Sequence, residues 1–423
     1  MRSYAAVLVT ATALLSPGTL TAPPAGACTN PAPARAPVSA QPQAQRILDP
    51  GSVWPHSTGA GVLVAVVDSG VDIDHPQLRA PGLVLRGQDF HLVGDLPGSF
   101  DCVSHGTAVA SIIAAQPIEG IGFAGLAPGA RILPVRVSER DVTDRGSAEA
   151  IDPAVLARGI WYAADQGAKV INLSVAGAAD HAYVRDAIAY ARSKDALVVA
   201  AAGNSSQGGA EQLAYPAGYD GVLGVGAVDR SGTRLPGSQV GRHVDLVAPG
   251  GEVLAATRAG GHQYWEGTSF ATPFVSATAA LVRSAWPHLS ADEVAERLMA
   301  TATPAPGGPG STAYGAGLVN PYRAVTDGLS SSPARVMPPV DRRPVDPEVA
   351  RVAAWWQTTG GTGRRALVAA VVTVVLALIV ALVLTAARRG RWRARLTESL
   401  PARPVLDDTP EHLFVLPPPP AER

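Results

Sequence analysis

Gly267-Thr-Ser-Phe-Ala-Thr-Pro273 is the stretch on which the reading of this chain turns. It places a serine, Ser269, in a run of small residues just ahead of an apolar segment, Thr272 to Ala285, that is expected to be helical. Alone, such a run need only be a helix start, because proline is favoured in the first helical turn. Three motifs upstream, in fixed order, change its meaning: Val64-Ala-Val-Val-Asp-Ser-Gly-Val-Asp72 around Asp68, His105-Gly-Thr107, and Ala201-Ala-Gly-Asn204. A serine hydroxyl is a poor nucleophile at neutral pH. Acyl transfer therefore needs a histidine to take its proton and a carboxylate to orient that histidine. Ser269, His105 and Asp68 supply the three groups, and Asn204 supplies an amide able to donate to a developing oxyanion.

Each motif has an ordinary reading by itself. An aspartate at a strand end usually caps a turn, and His-Gly-Thr reads equally as a helix start with Thr107 as its cap. The joint occurrence of all four in one order outweighs these readings. Around them, strand-like runs at Val62 to Val67, Arg131 to Val137, Val170 to Leu173, Leu197 to Ala201 and Gly221 to Val225 alternate with helix-like stretches. The helices are expected at His105 to Ala115, Asp152 to Gln166, Ala182 to Ser193, Thr272 to Ala285 and Ala291 to Thr301, with Ser290 as an N-cap. Alternation of this kind implies an α/β fold with a mostly parallel sheet and helices on both faces. The candidate groups then fall at strand ends and helix starts, where such sheets place ligands.

With its flanking motifs, the order Asp, His, Ser resembles that of the subtilases, the subtilisin-like serine proteases. The resemblance runs over roughly residues 60 to 328 and continues between the candidate groups. It includes Ile171-Asn-Leu-Ser-Val-Ala-Gly177, Tyr215 to Asp229, Val244 to Gly250 and Tyr314 to Asn320. It implies a subtilisin-like fold, catalysis by Asp68, His105 and Ser269, and an oxyanion hole made by the Asn204 side chain and the Ser269 backbone N–H. It also implies that an extended substrate pairs its backbone with Leu173 to Gly177, so that Ser174, Val175, Ala176 and Gly177 bind substrate. One position departs from the common pattern, since many subtilases carry a second histidine where this chain has Ala108.

No metal or other cofactor is expected. Asp68, Asp72 and Asp74 lack the glycine and glutamate positions of an EF-hand loop. His75 falls where the family has a histidine-proline turn, and the remaining histidines show no ligand spacing. The formal net charge of −1 offers no basic footprint for nucleic acid.

The ends of the 423-residue chain indicate where it works. Residues 1–27 read as a secretory signal, with an apolar run from Ala5 to Leu15 and a small-residue site before Cys28. A proline-rich extension covers residues 28–59, the catalytic domain 60–328 and a proline-rich linker 329–365. Residues 366–387 carry no charge and form about 33 Å of helix, enough to cross a hydrocarbon core of about 30 Å. Arginines dominate the start of the tail, residues 388–423, which places that tail in the cytoplasm and the catalytic domain outside. Cys28 and Cys102, the only cysteines, both lie on the exported side and are expected to form a disulfide close to His105. The short extension is expected to wrap the domain without inhibiting it as a folded pro-domain would.

This layout resembles the mycosins, membrane-anchored subtilases of actinobacterial type VII secretion systems. The resemblance implies a protein or peptide substrate, attachment to the cytoplasmic membrane and association with the type VII membrane complex. Two roles follow, an endopeptidase that processes exported proteins or a component whose main contribution is to stabilise the complex.

Overall fold

The computed structural model describes residues 28, 31–92, 95–139, 151–206, 211–329 and 369–388. The expected signal, the linker beyond residue 329, residues 366–368 and the tail beyond residue 388 lie outside the described residues. The chain divides into two compact units, Met1–Ser331 and Ser332–Arg423.

The first unit begins with α1 (Gln43–Leu48) and α2 (Pro50–Val53), followed by β1 (Leu63–Asp68), β2 (Gln88–Asp89), α3 (His105–Ala114) and β3 (Arg131–Arg136). It continues through α4 (Pro153–Asp165), β4 (Val170–Leu173), α5 (Ala182–Ser193), β5 (Leu197–Ala201), β6 (Val222–Val228) and β7 (Leu246–Pro249). A hairpin of β8 (Val253–Ala256) and β9 (His262–Trp265) precedes α6 (Thr268–Ala285), α7 (Ala291–Ala300) and α8 (Pro321–Thr326).

Strands β1 to β7 form one sheet in the order β2-β3-β1-β4-β5-β6-β7, and every pairing in it is parallel. The side chains of β1 show why both faces are covered. Val64 and Val66 enter an apolar cluster with residues of α3 and α6, whereas Leu63, Ala65 and Val67 enter a second cluster with residues of α4 and α5. Alternate residues of a strand face opposite ways, so a continuously apolar strand needs helices on both sides. From β1 the chain runs to β2 and β3 on one side of it, then crosses back from β3 to β4 on the other. A crevice therefore opens at its carboxyl end, and Asp68 is the last residue there.

The expected elements are present, with two differences that matter. Helix α6 begins at Thr268, four residues before the expected Thr272, so Ser269 lies inside its first turn and Pro273 inside the helix. Proline forfeits the bond from its own nitrogen to the carbonyl four residues back, that of Ser269. The Ser174 hydroxyl takes that carbonyl instead at 2.7 Å, which removes the cost that would otherwise move the helix start beyond the proline. The segment Leu173 to Gly177, expected to pair with substrate, leaves the strand at Leu173, and Gly177 pairs in an isolated bridge with Tyr215. Its former neighbour β5 turns away after Ala201, so residues 174–176 run past it outside any strand among the described residues. At the other terminus, Ser290 caps α7 in a capping box with Glu293, as its sequence suggests.

The extension is strapped across the domain. Ala32 N–H donates to Cys102 O at 2.8 Å, Arg35 N–H to Gly260 O at 3.1 Å, and Ala36 O accepts from His262 N–H at 3.1 Å. A Cβ on Gly261 would lie 1.9 Å from Arg35 O, so the close approach requires glycine there. Cys28 and Cys102 form a disulfide, and no described extension residue lines the cleft discussed below.

In the second unit the described residues form one helix, α9 (Ala369–Arg388), with a mean hydropathy of 2.9 over its apolar window, long and apolar enough to cross a membrane.

Candidate active site

The carboxyl ends of β1, β4 and β5 and the amino ends of α3 and α6 meet around a cleft of about 230 Å³. Asp68 and His105 are both buried beside it, with His105 Nδ1 2.7 Å from Asp68 Oδ1. The same carboxylate oxygen accepts the N–H of Ser69 at 2.7 Å, which fixes its direction. Phe270 of α6 packs against the His105 ring with centroids 5.2 Å apart. Ser269 lines the cleft with them.

Ser269 is held by the residue that follows β4. Its Oγ donates to Ser174 O at 3.2 Å, while Ser174 Oγ donates back to the Ser269 carbonyl at 2.7 Å. Buried Asn172 supports this exchange, donating from Nδ2 to Ser174 Oγ at 3.0 Å and accepting from Ser276 Oγ at 2.8 Å. Ser276 is two turns along α6 from Ser269, so the relay ties helix and strand at two points.

Asn204 projects from the turn after β5. Its Oδ1 accepts both the N–H and the hydroxyl of Thr268, at 2.9 and 3.0 Å. Since a backbone N–H can only donate, the oxygen of the amide is identified and Nδ2 is left as its donor toward the cleft. A hydroxyl, an imidazole paired with a carboxylate, and an amide donor thus share one cleft. That is the set of groups acyl transfer requires.

The substrate residues expected from sequence, Ser174, Val175, Ala176 and Gly177, all line the cleft. Val175, Ala176 and Gly177 also border a second hollow of about 240 Å³, walled by Leu156, Val184, Pro216 and Tyr219. Sequence reasoning missed this hollow, because its walls come from α4, α5 and the turn before β6. It also missed Gln212 and Gln239, which line the first cleft. A third omission is Asp101, a buried carboxylate in the loop before α3. Its signal was present in Asp101-Cys-Val-Ser-His105, where an acid stands one turn ahead of the histidine.

The other polar candidates have structural partners. Asp72 accepts the N–H groups of Asp74 and Ala259 at 3.1 and 2.6 Å, which accounts for its carboxylate as a turn cap. Burial lowers the pKa of His75, and burial, helped to a smaller degree by the neighbouring His75, holds His262 down at about 4. Neutral His262 accepts the N–H of Val38 from the extension at 3.2 Å, so this ring anchors the strap. Ala108 is fully buried in the cluster behind α3. Among the described residues, the grouping close enough to share an ion is Cys28, Cys102 and Glu139, whose sulfurs are bonded to each other.

Comparison with known proteins agrees with this geometry. The profile of the Subtilase family, Peptidase S8, matches residues 59–317. A thermophilic serine proteinase from Bacillus sp. (strain AK1) is 38% identical over 274 residues, a match spanning 64% of this chain and 64% of that protein. Subtilisin BL from Lederbergia lenta is 39% identical over 264 residues, covering 62% of this chain and 90% of the relative. Among solved structures, MycP1 from the ESX-1 type VII secretion system superposes with a TM-score of 0.63 at 31% identity, covering 73% of this chain and 92% of the other.

Proposed function

Because the chain belongs to the subtilase family, we propose that it is a membrane-anchored serine endopeptidase, acting outside the cytoplasmic membrane on proteins exported by a type VII secretion system. Ser269 attacks the scissile carbonyl as His105 accepts its proton, and His105 then protonates the departing amine. Asp68 holds the imidazole tautomer and stabilises the imidazolium. Asn204 Nδ2 and the Ser269 N–H receive the oxyanion.

The observation that carries this reading is the 2.7 Å contact between His105 and Asp68, set in the same cleft as Ser269 and the oriented Asn204 amide. A peptide laid along residues 174–176 would satisfy their open backbone edge, and its alternate side chains would enter the two neighbouring hollows. The apolar α9, followed in sequence by Arg389, Arg391, Arg393 and Arg395, supports an anchor with its carboxyl end in the cytoplasm. The likeness to MycP1, described as part of a type VII system, supports the secretion role.

The chemistry is tested by reacting the full chain in detergent with a fluorophosphonate probe. Wild type is expected to label, and Ser269→Ala is expected not to. For the biological role, Ser269→Ala in the native host should lengthen a subset of secreted proteins while export continues. If nothing lengthens but deleting the protein stops export, stabilisation of the complex is the main contribution.

A further inference from the structure

The roles assigned to Asp68, His105 and Ser269 leave two buried carboxylates unused: Asp89, which is ion-paired with Arg136 at 2.9 Å, and Asp101. Asp101 is 3% exposed and does not line the cleft. Its Oδ1 accepts from Ser69 Oγ at 3.0 Å, Val103 N at 3.0 Å and Ser104 N at 3.1 Å, and its Oδ2 accepts from Thr107 N at 2.9 Å and Thr107 Oγ1 at 2.7 Å. A carboxylate has about four acceptor sites. Three of these donors are backbone N–H groups, which cannot accept, so the site favours the ionised form and opposes the rise in pKa caused by burial and, to a lesser degree, by the charge of Asp68.

The donors surround His105 in the chain. Ser104 precedes it at a left-handed φ of 73°, a costly conformation for a serine, and caps nothing with its own side chain. Asp101 fills that capping role from outside the helix by taking Ser104 and Thr107 N–H. The intervening Gly106 N–H goes to Ser69 Oγ at 2.9 Å, and Ser69 in turn donates to Asp101 and, from its backbone, to Asp68. One carboxylate therefore ties the first turn of α3 to the end of β1. These are the two segments that carry His105 and Asp68.

We propose that Asp101 is a positioning residue for His105: it locks the first turn of α3 against Asp68, and its negative charge behind that pair favours the imidazolium formed in turnover. The proposal rests on the protease reading. The other charged groups packed on this segment are Asp68 from β1, Asp72 from the loop after it, whose N–H donates to Thr107 Oγ1 at 3.0 Å, His105 from α3, Arg258 from the turn after β8, whose Nε donates to Asp101 O at 2.9 Å, Arg136 from β3, whose guanidinium lies over Phe100 at 4.9 Å, and Glu139 after β3, which lies beside Cys102 and pairs with Arg136 at 3.2 Å. Arg258 and Arg136 address the backbone and the ring beside Asp101 and not its carboxylate, which lies close enough to Asp68 to feel its charge.

The test uses the full chain in detergent and the labelling kinetics of a fluorophosphonate probe across pH. Asp101→Asn removes the charge and turns an amide N–H₂ toward one set of donors. Its maximal labelling rate is expected to fall about 10- to 100-fold with half-saturation within about twofold, because the residue does not touch the probe. The acid limb of the efficiency profile should move down by about half to one pH unit, as expected for loss of a nearby negative charge. Ser69→Ala keeps the charge but loosens the tie, so it should slow labelling without moving the acid limb. A folded Asp101→Asn protein with an unmoved acid limb, or with the wild-type rate, overturns the proposal. Should Asp101→Asn not fold by circular dichroism, a wild-type rate in Ser69→Ala overturns it. Failure of wild type to label at all would refute the protease reading instead.

Discussion

Gly106 offers the sharpest perturbation of the candidate site. A Cβ built there would stand 2.1 Å from Gly70 O and 3.2 Å from Asp68 Cβ. Carbon and oxygen do not approach within about 3 Å without bonding, so Gly106→Ala must open the junction between β1 and α3 by about 1 Å. Gly70 O is backbone and Asp68 Cβ is fixed to the last residue of β1, so neither can rotate away as the far end of a long side chain would. The displacement falls on the contact between His105 Nδ1 and Asp68 Oδ1, now 2.7 Å, and carries the imidazole relative to Ser269. A misplacement of about 1 Å costs roughly 100-fold in rate, or about 3 kcal/mol of activation free energy. The variant is therefore expected to fold, with a moderately lowered melting temperature, and to react with fluorophosphonate about 100-fold more slowly than wild type. Gly51→Ala is the matched control. Its added Cβ meets only Asp49 Oδ1 at 3.7 Å, and labelling should be unchanged. A folded Gly106→Ala protein that labels at the wild-type rate would show that the junction is soft and that its geometry does not limit the chemistry.

Three further outcomes are expected. Asn204→Ala should leave a folded protein whose peptidase rate falls by about 3 kcal/mol in activation terms, a magnitude that comes from subtilisin; an undiminished rate would remove Asn204 from the oxyanion site. Burial raises the pKa of Asp195, but Arg283, Lys169 and the Ala291 N–H outweigh it and hold the carboxyl at about 2, below its ordinary value of 3.8. A folded pKa below the unfolded one gives stability that is complete above about pH 4 and disappears as pH falls to about 2. The side chain is 41% exposed, so screening reduces the contribution to about 1 kcal/mol. Asp195→Asn should thus lower urea stability at neutral pH and flatten its fall between those limits, and an unchanged slope would exclude the linkage. Finally, Cys28 and Cys102 are 74 residues apart, a loop whose closure is worth about 4 kcal/mol in the chain-entropy estimate. A reductant should lower the melting temperature of wild type and leave that of Cys28→Ser unmoved.

By itself the sequence determined the class of fold and the identity of the groups in the candidate site. Buried parallel strands must be apolar at every position, so β4, β5 and the helix between them could be bounded to the residue from composition alone. Asp68, His105, Asn204 and Ser269 were legible because each sits in a short motif whose backbone constraints, glycine above all, leave a local record. The tertiary structure alone decided how these groups are held. Pro273 reads as a helix start in one dimension, and only the arrival of Ser174, just past the end of β4 and 95 residues from Ser269, lets α6 begin ahead of it. Asp101 draws four of its five donors from residues 103–107, and only the meeting of β1 with α3 adds the fifth, Ser69 Oγ, which ties the carboxylate to the segment carrying Asp68. The second hollow beside residues 175–177 is likewise written in no single segment, since its walls come from three elements distant in sequence. Motifs record what one stretch of backbone must be. Positioning and pocket shape are relations between stretches, and they exist only once packing has brought them together.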